Sequence, residues 1–139
     1  MEHQPPSLKC PFRHTLITRD FGCENGQEVT YREGPGIACA DPDAHQRCTT
    51  LFDALKAAAL PAFDVADDLT EMPASVISKI QYGGLVALSG LVQTQTDTIS
   101  NINVLVISVM DKYKNVEQLD YDTIVPLMRD YRLRKRRKG

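Results

Sequence analysis

No cysteine follows Cys48 and no histidine follows His45, so thiol and imidazole chemistry is confined to the N-terminal third of the chain. The chain has no Gly-x-Ser-x-Gly, no His-Glu-x-x-His and no Gly-x-x-x-x-Gly-Lys. Serine hydrolase, zinc peptidase and nucleotide-loop readings therefore lack the residues their chemistry needs. Nowhere does an apolar run reach the roughly eighteen residues of a membrane span, and the opening residues, MEHQPPSLK, lack the apolar stretch of a signal peptide. The expectation is a soluble, cytoplasmic protein. There is also no close Cys-x2–4-Cys pair, the usual half-site of structural zinc; the nearest two cysteines are separated by eight residues.

What is present is a concentration of cysteine at one end. Cys10, Cys23, Cys39 and Cys48 form the pattern C-x12-C-x15-C-x8-C, set among Gly22, Gly26, Gly34, Pro35, Gly36 and Pro42. That stretch is too polar and too punctuated to build a large core. Four thiolates meeting at one inorganic centre would hold it together, whereas disulfides seldom persist in a reducing cytosol. Clusters take ligands from well-separated loops, so the spacing favours iron–sulfur over zinc. Cys10-Pro11 adds to this, because a proline after a ligand stiffens its loop, as in the bacterial ferredoxin run. His14 and His45 lie near Cys10 and Cys48 and are alternate metal ligands in a mixed site, against the plainer reading of surface or supporting residues. Disulfides, redox thiols and unrelated buried cysteines are the remaining readings.

Within this segment, His14–Arg19 and Gln27–Arg32 have the β-branched content of short strands, with a hairpin turn expected at Asn25-Gly26 between them. Glu33-Gly34-Pro35-Gly36 reads as a loop. Asp41-Pro42 opens a helix, Asp41 as cap and Pro42 in the first position, with Ala44, Cys48, Leu51, Leu55 and Ala58 or Ala59 on one face and Pro61 ending the run.

Phe63–Leu69 is an acidic linker. Thr70-Glu71-Met72-Pro73 opens a second helix through Val76, Ile77, Ile80, Leu85, Leu88, Leu91 and Val92, interrupted by Gly83-Gly84, which marks a kink or a close helix crossing. Residues 74–116 form one helix or two. Ile99, Ile102, Leu105, Val106, Val109, Met110, Tyr113 and Val116 follow helical spacing, and this stripe packs against the other helices or a second copy of the chain. A last helix starts at Asp120 or Asp122 and carries Ile124, Val125, Met128 and Tyr131 inward.

The chain has 139 residues, 42% hydrophobic, and a net charge of −2. From Arg129 onward it carries seven basic residues and one acid; the rest carries nine basic residues against seventeen acids. Arg132, Arg134, Lys135, Arg136, Arg137 and Lys138 are candidates for binding nucleic acid or an acidic partner. The expected fold class is α+β, mainly α: a small cysteine-rich hairpin and loop segment over residues 1–62, packed on a bundle of about three to four helices over residues 63–139. The expected function is a small iron–sulfur protein with one [4Fe–4S] cluster on Cys10, Cys23, Cys39 and Cys48, acting with a redox partner protein in electron transfer or in redox or oxygen sensing, a carrier or sensor more than an enzyme. Phe12, Phe21 and Ile37 are expected to tune such a cluster. The alternative is a zinc-stabilised adaptor that binds through its basic tail.

Overall fold

The structure, a computed structural model, describes residues 8–32, 34–63, 74–92, 96 and 98–131. It is mainly helical with one small antiparallel sheet. In chain order it runs α1 (Arg13–Ile17), β1 (Gly26–Tyr31), β2 (Gly34–Cys39), α2 (Pro42–Phe63), α3 (Ala74–Val92), α4 (Ile102–Tyr113), a 3-10 turn (Val116–Gln118) and α5 (Tyr121–Asp130).

α3 lies at the centre. From Ile80 to Ser89 every residue is buried, and a helix covered on all sides needs neighbours all round. It packs against α1, α2, α4 and α5. Gly83-Gly84 turns out to be a close crossing rather than a break. A Cβ on Gly83 would stand 2.8 Å from the Met128 Cα, and one on Gly84 2.9 Å from Leu55 Cδ1. The glycine pair thus lets α5 and α2 approach the helix backbone, which explains why two poor helix formers sit in its middle.

Two expectations fail in the N-terminal part. Residues 13–17 form α1 and not a strand. Thr15 Oγ1 donates to the Phe12 carbonyl at 2.8 Å, and Phe12, Thr15 and Leu16 are buried. Packing onto α3 outweighs the β-branched composition, because strand propensity is mostly a statement about surroundings. The hairpin is also displaced. β1 pairs with β2 in the register Gly26↔Cys39 through Tyr31↔Gly34, so Gly34-Pro35-Gly36, expected as a loop, is strand. Asn25 precedes the hairpin instead of turning it. β2 gains partners on its second edge: Cys39 N–H donates to the Leu8 carbonyl at 2.8 Å and Cys10 N–H to the Ile37 carbonyl at 2.9 Å. Pairing with β1 along its length, and with residues 8–10 over Ile37, Ala38 and Cys39, holds a glycine-rich and proline-containing strand extended.

The helix opened by Asp41 and Pro42 forms as expected, with Asp43 N–H donating to Asp41 Oδ1 at 3.0 Å, and Ala44, Cys48, Leu51, Leu55 and Ala59 are buried. Pro61 does not end it; α2 continues to Phe63, with the proline in its last turn. Residues 64–73, which include most of the expected linker and the start of the second helix, lie outside the described residues. The apolar stripe of 99–116 resolves into a shorter helix, α4, separate from α3. Its inward residues Ile102, Leu105, Val106 and Val109 are buried within the same chain, leaving Val104 and Ile107 exposed. α5 begins after Asp120, whose carboxylate accepts from Thr123 N–H, so the expected cap is in place. One apolar core joins Phe12, Leu51 and Leu55 to Ile80, Leu85, Ile124 and Met128, so the two segments read from the sequence share it.

Candidate thiol-lined metal centre

Strand register brings the cysteines together. The Gly26↔Cys39 pair sets Cys39 beside the turn in which Gly26 N–H donates to the Cys23 carbonyl at 3.1 Å. On the other edge of β2, the antiparallel Lys9↔Ala38 bridge sets Cys10 opposite Ile37, two residues before Cys39. α2 begins three residues after β2, and Cys48 reaches the same place from its buried face. The Cys23 loop is itself clamped. Gly22 N–H donates to the Ile99 carbonyl at 3.0 Å and Ile102 N–H to the Gly22 carbonyl at 2.8 Å. A Cβ on Gly22 would lie 2.8 Å from the Ser100 carbonyl oxygen, so only glycine lets the loop lie flat against the start of α4.

All four thiols line one cavity, together with Pro11, Asn25, Gly26, Ala44, His45, Ile102 and Asn103. It is a small cavity of about 10 Å³, partly open to solvent. Cys10, Cys39 and Cys48 are buried and Cys23 is half-buried; none is in a disulfide. Among the described residues, no three His, Cys, Asp or Glu side chains are grouped closely enough to hold a single metal ion.

Burial pushes the Cys10 thiol up to about 12, with the Phe12 backbone amide pulling the other way and the neighbouring Cys23 and Cys39 adding to the rise. Cys48 is likewise pushed up to about 12, first by burial and then by Cys10, Cys23 and Cys39. Burial also raises Cys39, against the opposing pull of the Asp41 backbone. Each buried thiol therefore resists ionising alone. A cation among them reverses that preference, because thiolate ligation replaces the lost hydration and removes the mutual repulsion. Four cysteines around one cavity are the residue type that iron–sulfur clusters use as ligands.

The two histidines separate. His45 lines the cavity, with its Nε2 3.1 Å from the Lys9 carbonyl. His14 faces α3 instead, its Nδ1 2.9 Å from Ser78 Oγ and its backbone N–H donating to Gln81 Oε1 at 2.8 Å. Phe12, Phe21 and Ile37 are buried in the core but do not line the cavity; Pro11, Ala44 and Ile102 supply its apolar wall. Sequence reasoning missed Asn25, Ile102 and Asn103. Ile102 and Asn103 arrive from α4, more than fifty residues beyond Cys48, and no periodicity links them to it. Asn25 was visible only as a turn residue. The basic candidates Arg132, Arg134, Lys135, Arg136, Arg137 and Lys138 lie outside the described residues. No family model, no curated protein and no solved structure matches this chain.

Proposed function

We propose that this chain is a small iron–sulfur protein in which Cys10, Cys23, Cys39 and Cys48 ligate one [4Fe–4S] cluster, serving electron transfer or redox sensing. The observation that carries the reading is the convergence of all four cysteines, from a loop, a turn, a strand end and a helix, on a single cavity. A lone zinc would draw its sulfurs to about 3.8 Å of one another, given a zinc–sulfur bond of about 2.3 Å and tetrahedral geometry. A cluster places inorganic sulfide between its irons and accepts thiolates set further apart. The absence of a knuckle from the sequence agrees with the wider arrangement.

When bound, the group supplies a site that gains and loses one electron without breaking bonds in the protein. The chain's residues provide the rest. Pro11, Ala44 and Ile102 exclude water from one side, and the clamped loop at Gly22 fixes the least buried ligand, Cys23. That ligand marks the edge closest to solvent and hence to a redox partner.

Replacing Cys48 by serine tests the reading. The variant, purified without air, is expected to lose the broad visible absorption of the wild-type protein. A wild-type protein with no such absorption, or a Cys48→Ser variant that keeps it in full, contradicts the assignment.

A further inference from the structure

A chain of polar side chains borders the thiol cavity and is not used by the ligands themselves. Arg47 immediately precedes Cys48 on α2, and its Nη2 donates to Asn103 Oδ1 at 3.3 Å. Asn103 Nδ2 in turn donates to Glu24 Oε2 at 2.6 Å. Only one orientation of the Asn103 amide satisfies both bonds, so the order of the chain is determined. Asn103 is buried and lines the cavity.

Arg47 Nε is buried and has no hydrogen-bond partner. Among the described residues only one other buried side-chain polar atom shares that condition, Gln81 Nε2, on the residue that meets α1. A guanidinium stays charged and carries its donors in a rigid fork, so a desolvated N–H without an acceptor is costly. The guanidinium is thereby tied to a residue that lines the cavity beside Cys39 and Cys48. A fixed cation, an unused donor and two thiols thus occupy the same neighbourhood.

Resting on the cluster reading above, we propose that Arg47 is a positioning residue that offsets the negative charge of the ligated cluster and sets its reduction potential, with Asn103 holding the guanidinium in place and Glu24 opposing it. Four thiolates around the oxidised core make a doubly negative assembly, which becomes triply negative when an external one-electron donor reduces it. A nearby fixed positive charge favours the more negative state and raises the potential. The Nε–H is a buried donor that the fold leaves unused. Glu24, anchored to the same asparagine, contributes charge of the opposite sign.

The test is a redox titration of the full-length protein, purified without air and reduced stepwise with dithionite through mediators, alongside iron and sulfide content. In Arg47→Gln the ratio of reduced to oxidised cluster at fixed potential is expected to fall about tenfold, a shift of about 59 mV to lower potential for one electron. Arg47→Lys keeps most of the wild-type value, and Glu24→Gln moves in the opposite direction. An Arg47→Gln protein that holds its cluster at an unchanged potential overturns the proposal. Where Arg47→Gln fails to hold a cluster, Glu24→Gln decides: the exposed carboxylate can be neutralised without disturbing the core, and an unchanged potential there overturns the proposal as well. A wild-type protein without iron and sulfide overturns the cluster reading itself, a result separate from either of these.

Discussion

His14 shows how a single side chain near the cysteines can serve the fold and not the site. Its imidazole is held below its ordinary pKa, first by burial and then by the adjacent Arg13, and it meets Ser78 on α3 while the backbone N–H donates to Gln81. The unfolded chain takes up a proton at about the usual value of 6.5, while the folded chain resists it until a lower pH. Stability from this group is therefore complete above 6.5 and is lost as the pH falls through the folded value. His14→Gln is expected to flatten that part of a plot of denaturation midpoint against pH; an unchanged slope would show that the dependence arises elsewhere. Sequence spacing placed His14 and His45 equally near a cysteine, at four and three residues. Only the turn of α1 onto α3 separates them, and that turn depends on the burial of Phe12, Thr15 and Leu16.

At the scale of elements, α4 meets the cysteine segment through its cap. Asn101 Oδ1 accepts from Asn103 N–H at 3.2 Å, capping the helix, and from Glu24 N–H at 3.1 Å, tying down the residue after Cys23. Asn101→Ala should cost about 1 kcal/mol of stability in denaturant titration, in line with loss of a helix cap. It should also raise the rate at which Cys23 is alkylated in the metal-free protein. Normal stability with unchanged Cys23 reactivity would mean that the cap does not anchor the loop. The caps and apolar faces of α2 and α5 were legible because Asp41-Pro42 and Asp120 are local signals that nothing in the fold opposes. The β1–β2 hairpin was not, since β2 is held by partners on both edges, one of them the segment around Leu8 and Cys10. Glycine and proline composition carries no trace of such pairing. Gly83-Gly84 was legible as an anomaly, and the approach of Met128 and Leu55 decides which anomaly it is.

For the whole molecule, the convergence of the cysteines could be anticipated from their confinement to one segment, whereas the second wall of their cavity could not. Ile102 and Asn103 come from the far half of the chain because a single core joins both segments. The acidic body and the basic run beyond Arg129 are properties of composition, and the run beyond Tyr131 lies outside the described residues. Burial leaves three of the four thiols reluctant to ionise alone, and the proposed inorganic centre would remove that cost at all of them together. The most direct measurement is the content of iron, acid-labile sulfide and zinc per chain in protein purified without air. About four irons and four sulfides per chain are expected for a cubane cluster. A colourless protein carrying one zinc per chain, or no metal at all, would contradict the assignment.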